Sequence, residues 1–570
     1  MALTTSPMPS SLEIAQAATL LPPADVAAQI GIPEAYLVPY GRHVAKVDPA
    51  VTGRFAGKPD GDYVVVTAIT PTPLGEGKTT TSVGLAQGLK LIGKTSLLTL
   101  RQPSMGPTFG IKGGAAGAGY AQVLPMEQLN LHLTGDFHAV TAAHNLLAAM
   151  VSNHLYQGNE LDLEPSSITW RRVMDVNDRS LRSIVEGLGE KEDGVPRQTG
   201  FDITAASEVM TTLSLATSFE DLRQRLGRIV VGSTRARQPV TAENLKAAGA
   251  MAVILKDAAW PNLLQTTEGT PVLIHAGPFG NIATGNSSVI ADRVGIRTAE
   301  FVITEAGFGA DMGLERFANV KCRVSGLRPS VAVLVVTVRA LKAHSGRFRI
   351  VPGRPLPPEL LEASPDNVRA GASNLIKHIE IVRSFGINPV VAINVFAGDH
   401  DEDIREVERI ASEAGVRCAA STHVQDGGKG AVALAEAVAA AREDPVDFRF
   451  TYDLDEPLAD KIEAIATKVY GAEGMDLSAA AAAGLRKYEA TGYGQLPVVI
   501  AKTHLSISHD PTLRGAPTGW RLPIREVRLA AGAGYVYAIA GSMRTMPGLG
   551  AHPAAERIDI DADGNVVGLF

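Results

Sequence analysis

Cysteine is nearly absent from this sequence: only Cys322 and Cys418 occur in 570 residues. Neither belongs to a Cys-x-x-Cys pair, and two thiols so far apart build no disulfide framework. They read as small buried apolar residues in a reducing compartment. Aromatic residues are also few, at 5%. There is no basic excess, because 53 Lys and Arg face 60 Asp and Glu for a net charge of −7. Such a balance disfavours a nucleic-acid partner, although local Lys and Arg can still serve a small anionic substrate. No apolar run approaches the ~18 residues of a membrane-spanning helix. The N-terminal MALTTSPMPSSLEIAQ has neither a basic start nor an export-length apolar core, so the expected location is the cytoplasm, away from membranes. No internal repeat is visible.

What the chain has in excess is glycine, with 57 residues against a usual level of about 7%. Many fall in clusters at the ends of apolar runs. Those runs are YVVVTAIT (63–70), SLLTLR (96–101), RIVVG (228–232), PVLIHAG (271–277), AEFVITEAG (299–307), SVAVLVVTVRAL (330–341) and NPVVAINVF (388–396). Being β-branched and unbroken, they read as buried parallel strands. Helical stretches such as TSVGLAQGLKLIG (81–93) and AVALAEAVAAARE (431–443) lie between them. The fold class is therefore α/β, with a mostly parallel sheet and helices on both faces. The proline-rich 347–366 and a second break near 444–457 divide the chain into 1–360, 361–455 and 456–570. On this division a large domain with a phosphate loop is joined by two smaller α/β domains.

The first glycine turn, TPLGEGKT (72–79), follows a strand and precedes a helix. Gly75 and Gly77 let backbone N–H groups curl around an anion, and the helix turns its positive end to the same point. Lys78 can reach outer phosphates and the Thr79 hydroxyl can hold Mg2+. The nucleotide-binding set is Thr72, Pro73, Leu74, Gly75, Glu76, Gly77, Lys78, Thr79 and Thr80. The usual pattern begins with glycine where this chain has Thr72. A solvated lysine on an ordinary glycine turn is the bland alternative, and a motor or partitioning ATPase stays open at this point.

Beyond the second strand, Arg101 stands where open α/β sheets bind ligands, with a fork suited to carboxylate or phosphate. Five glycines follow between Gly110 and Gly119. NLHLTGDFHAVTAAHN (130–145) carries His132, Asp136, His138 and His144. Their spacing of six does not suit a helical metal pair, so polar or substrate pairing is expected. His275 and Asn281, Glu305 and Asp311, and Arg339, Lys342 and His344 follow later strands. Each set could be an ordinary strand-end turn; together they mark a crevice.

These segments resemble formate–tetrahydrofolate ligases. TPLGEGKTT resembles that family's nucleotide loop, GIKGGAAGAGY (110–120) its first signature and VVTVRALKAHSG (335–346) its second. FDITAASEVM (201–210), LKDAAWPNLLQT (255–266), TEAGFGADMG (304–313) and AGSMRTMPGLGAHPAAERIDID (540–561) are similar to family blocks, so the resemblance runs from about Glu13 to Phe570. It implies that ATP phosphorylates formate to formyl phosphate and that N10 of tetrahydrofolate then attacks the formyl carbon, leaving 10-formyltetrahydrofolate, ADP and phosphate. It implies Lys78, Arg101, His132, Asp136 and His275 as the catalytic set. Tyr120, Gly307, Phe396 and Val424 are implied to touch substrate, Phe396 holding the pterin ring within 361–455. It implies Mg2+ with the ATP, a monovalent cation (K+ or NH4+) at Gln102 and Asp136, and a homotetramer.

The sequence departs from the family pattern at several motif positions. Gln102 replaces an acidic residue of the cation site, and Val424 stands where a second pterin-stacking aromatic is expected. Thr284-Gly285 replaces His-Gly, and Ala118 and Ser345 replace signature glycines. Three functions follow: the ligase, a divergent enzyme with another acid or an altered folate, or a non-catalytic nucleotide-binding regulator.

Overall fold

The computed structural model describes residues 8–73, 75–112, 116–348, 350, 355–541 and 543–569. A sheet of twelve strands organises the molecule. Ten of them lie in one path: β1 (Leu37–Pro39), β2 (Ala45–Val47), β3 (Asp62–Ala68), β4 (Ser96–Leu100), β5 (Asn262–Thr266), β6 (Pro271–Ile274), β7 (Phe301–Glu305), β8 (Val331–Val336), β9 (Asn388–Asn394) and β10 (Arg417–Ser421). Their spatial order is β1-β2-β5-β6-β4-β7-β3-β8-β9-β10. From β6 to β10 every pairing is parallel, whereas β1, β2 and β5 pair antiparallel at one edge. This is a mixed α/β fold with a large, mostly parallel sheet.

Strands β3, β7 and β8 expose almost nothing on either face, which is why their sequences are continuous rather than alternating. Two runs behave differently from expectation. RIVVG forms Val230–Ser233, which pairs antiparallel with Pro239–Thr241 outside the large sheet. The run 330–341 contains both β8 and the start of helix Val338–His344, because the Thr337 hydroxyl accepts from Ala340 N–H and caps a helix there. The proline-rich 347–366 separates β8 from β9, which are hydrogen-bonded neighbours over six residue pairs. Beyond residue 456, a three-stranded sheet and a short parallel pair share a core with the central strands: Ile500, Trp520 and Leu522 pack in the same cluster as Val65 and Ile69.

Helix Lys78–Leu91 is buried along its whole middle, from Thr80 to Leu89. Gly84 and Gly88 make this possible, since β-carbons there would overlap His423 and the Ala431 carbonyl. Two buried histidines brace other helix starts in one recurring way. His144 Nε2 donates to the Arg171 carbonyl at 2.9 Å, and His275 Nε2 to the Ala258 carbonyl at 2.7 Å. Each Nδ1 takes the hydroxyl of a helix-capping serine, Ser207 or Ser288. His344 and His423 are buried as well. Burial pushes all four imidazoles down, His144 to about 3 and the others to about 4. Among the described residues no helix is long and apolar enough to cross a membrane.

Two outcomes follow. These imidazoles are neutral in the fold and take protons once unfolded near pH 6.5, so stability is full above that pH and falls as pH drops toward 4; urea midpoints across this range should decline before most carboxylates titrate. Gly371 lets helix Pro365–Ser384 lie directly on the Leu341 carbonyl of helix Val338–His344. Gly371→Ala should lower stability by about 1–3 kcal/mol. Gly249→Ala, whose β-carbon would meet nothing closer than Arg223 Nε at 4.0 Å, should gain about 0.5–1 kcal/mol.

Candidate functional site

The carboxyl ends of the parallel strands face one crevice. Chain order reverses at its middle, where β3 leads away to β4 on one side and β8 to β9 on the other. Ligands of open α/β sheets bind at such a switch. The loop after β3 occupies it. Gly75 has φ +76° with open space where a side chain would stand. Gly77 has φ +73° and begins helix Lys78–Leu91 without a side-chain cap, so the positive end of that helix is turned to the loop. Lys78 and Thr79 are half-buried and Thr80 is buried. Leu74 lies outside the described residues.

The loop is held from within. Glu76, 1% exposed, accepts the Thr72 N–H at 2.7 Å and the Thr72 hydroxyl at 3.0 Å. Burial pushes its carboxyl up, opposed by these bonds and by Lys78. Pro73 follows Thr72 on the same half-buried turn.

Glu305, at the end of β7, joins the loop to the next segment. It accepts the Thr79 hydroxyl at 3.2 Å. Burial pushes its carboxyl up, while the charges of Arg101 and Lys78 oppose that shift. Arg101 follows β4 directly and donates to the Pro278 carbonyl at 3.0 Å. Gly307 lies beside it: a β-carbon there would stand 3.6 Å from Arg101 Nη2. Several buried polar atoms in these strand-end loops have no partner: Arg101 Nε, Thr284 Oγ1, Asn286 Oδ1, Ser287 Oγ, Glu305 Oε1 and both amide atoms of Gln102. Buried polar groups are rarely left so; others occur elsewhere in the fold, and these seven lie at the strand ends of the crevice. Ala276 and Phe308, flanking it, hold φ values of +52° and +63°, a conformation non-glycine residues rarely adopt.

Three of the residues expected here are engaged with other protein groups. Asp136 is buried at 3% and receives Lys46 Nζ at 2.9 and 3.1 Å and Asn262 Nδ2 at 2.7 Å. It closes a buried ion pair at a helix start. His275 has both nitrogens engaged, as described above. His132 is exposed, with its Nδ1 2.8 Å from His138 Nε2. The turn at Leu133 (φ +48°) and Gly135 (φ +86°) brings together two histidines whose spacing had argued against a pair, yet no group of three metal-ligating side chains occurs among the described residues. Lys342 and Asp311 are also structural: Lys342 pairs with Asp403 and Lys502 with Asp311, each at 2.7 Å. His344 donates to the Thr70 carbonyl at 2.8 Å.

The far end of the crevice holds Phe396, Val424 and Tyr120. Phe396 follows β9 and Val424 follows β10, so they descend from adjacent parallel strands. Arg339 lies 4.8 Å over the Phe396 ring. Val424 is half-buried, and its carbonyl accepts the Tyr120 N–H at 2.9 Å. Tyr120 is 40% exposed and lines a cavity of about 690 Å³ with Met8, Ile14 and Thr267. Of the first signature, residues 113–115 lie outside the described residues. Sequence reasoning missed Lys46, Thr337 and Asn394; the last two lie within recognised runs, but their roles depend on partners distant in the chain.

Comparison with known proteins agrees with this arrangement. The family model described as formate–tetrahydrofolate ligase matches residues 9–570. A formate–tetrahydrofolate ligase of Cutibacterium acnes is 69% identical over 99% of this chain and 100% of its own. One of Saccharopolyspora erythraea is 63% identical over the same shares, and one of Rubrobacter xylanophilus 62% identical over 98% and 99%. With a family model covering nearly the whole chain and relatives this similar end to end, the chain belongs to the formate–tetrahydrofolate ligase family of enzymes.

Proposed function

We propose that this chain joins formate to tetrahydrofolate with ATP, through formyl phosphate, giving 10-formyltetrahydrofolate, ADP and phosphate. The observation that carries the reading is the convergence of the glycine loop, Arg101 and the Thr79–Glu305 pair at the switch point of the sheet, in a chain of this family.

Formate is unreactive because its charge is delocalised and oxide is a poor leaving group. Phosphorylation supplies a leaving group, but two anions must first approach. Loop N–H groups and the Lys78 ammonium offset charge on the transferring phosphoryl group. Arg101, desolvated and lying beside Gly307, orients formate and then the acyl phosphate through its fork. Oxygens of Thr79 and Glu305 are hard donors, and Glu305 Oε1 has no partner, so this pair suits Mg2+ held with the nucleotide. When bound, that ion neutralises phosphate charge. His275 and Asp136 act by position: the first fixes the start of helix Val289–Thr298 through Ser288, the second the start of helix Asp136–Tyr156. His132 is assigned no proton transfer.

A monovalent cation at Gln102 and Asp136 does not fit the side chains present. Lys46 already brings an ammonium to the Asp136 carboxylate, and Gln102, though its amide oxygen has no protein partner, adds no negative charge to hold a second cation beside it; no step is assigned to such an ion. At the other end, Phe396 holds the pterin ring, with Val424 and Tyr120 bordering it in the segments 361–455 and 110–120. Val424 offers no ring face, so stacking falls to Phe396. The chain works as a homotetramer, as its family resemblance implies, which sedimentation of the purified protein would read.

ADP release should require ATP, formate and tetrahydrofolate together, and Lys78→Ala should lower it by at least about 100-fold. Absence of release with all substrates would favour a regulator, and release with a different acceptor a divergent enzyme. Phe396→Ala should raise the KM for tetrahydrofolate by the ~1–3 kcal/mol of a ring stack, or about 5- to 150-fold, with little change in the KM for ATP.

A further inference from the structure

Glu76 is the only acidic residue of the 72–80 loop, and it accepts four hydrogen bonds from three residues that lie in three directions. Its Oε1 serves Thr72 within the loop. Its Oε2 accepts the Thr337 hydroxyl at 3.0 Å. Its backbone carbonyl accepts Asn394 Nδ2 at 3.1 Å. One loop residue is thereby tied to the ends of β8 and β9.

Both outer ties lead to the same aromatic ring. The Thr337 hydroxyl, while donating to Glu76, accepts the Ala340 N–H and so sets the start of helix Val338–His344. Two residues beyond Thr337, the Arg339 guanidinium covers the Phe396 ring and donates to the Ala397 carbonyl at 3.1 Å. Asp399 faces Arg339 at 3.4 Å and accepts the Phe396 N–H at 2.9 Å. Asn394, the other tie, lies two residues before Phe396. The side chain and carbonyl of Glu76 thus each hold one of the two segments that form the Arg339–Phe396 stack. Asn394 Nδ2 also stands where a β-carbon on Gly77 would be, so the loop cannot move there without moving the end of β9.

We propose that Glu76 is a positioning residue that couples occupancy of the nucleotide loop to the ring site at Phe396. This rests on reading Phe396 as the pterin platform. Polyphosphate entering the loop draws its N–H groups inward and brings negative charge near a desolvated carboxylate. Hydrogen bonds are short-range and the interior is close-packed, so a shift of Glu76 passes to Thr337 and Asn394. The seated loop is the form both ligands favour, and by linkage each tightens the other by the same factor.

The test measures the Kd of tetrahydrofolate on the full-length protein without formate, with and without saturating AMP-PNP and Mg2+. In the wild type the nucleotide should tighten folate binding by about 5-fold or more, within the usual range of coupling. Glu76→Gln keeps an acceptor oxygen for Thr72 but sets an amide NH2 opposite Thr337; it should bring the ratio to below about twofold. Thr337→Val should do the same from the other side, and Thr337→Ser should preserve the wild-type ratio. An unchanged ratio in both Glu76→Gln and Thr337→Val, or a wild-type ratio of one, overturns the proposal. If Glu76→Gln does not fold, the Thr337 pair decides. Phe396→Ala separates the two readings: unaltered folate affinity in that variant would refute the pterin platform itself, whatever the ratios show.

Discussion

Asn394 occupies the space where Gly77 would carry a β-carbon, and Gly77 takes a left-handed φ of +73°. That contact fixes how the chain turns from the buried strand β3 into the buried helix Lys78–Leu91. Only glycine meets both demands, conformational and steric. The crevice follows from it, because the turn sets where the first-turn N–H groups, Lys78 and Thr79 stand. Glu305 at the end of the neighbouring β7, and Arg101 just after β4 beyond it, then take up their places.

The site and the core strands are held in different ways. Strands β3, β7 and β8 are closed by parallel ladders and apolar packing, and their interior asks nothing of a ligand. Around their carboxyl ends the reverse holds. Some of the fold's unpartnered amide, hydroxyl and guanidinium atoms lie there, together with Ala276 and Phe308 at positive φ. Such features cost stability one by one, and at this place a polar substrate would satisfy them. The buried pairs Lys46–Asp136, Lys342–Asp403 and Lys502–Asp311 differ in kind. Their charges are mutually satisfied, and they hold elements around the crevice without facing it.

The strongest motifs were legible because each is a local pattern: unbroken β-branched runs, a glycine turn before a helix, an arginine directly after a strand. The polar residues between were harder. His132, Asp136 and His275 look alike as chemistry-bearing residues in sequence. Only the fold separates an exposed histidine pair from a buried ion pair and from an imidazole saturated by Ser288 and Ala258. RIVVG had the composition of a core strand and became an outer hairpin, since composition does not name the neighbour.

The sequence by itself determined the α/β class, the glycine loop with Lys78 and the family, since these reside in residues close along the chain. Tertiary structure alone decided which strands meet, because parallel neighbours are joined by long crossovers that leave no local trace. It decided that Glu76 reaches Thr337 and Asn394 across 261 and 318 residues. It also decided which charged groups face the crevice and which are consumed in the core, because that depends on partners brought from distant segments.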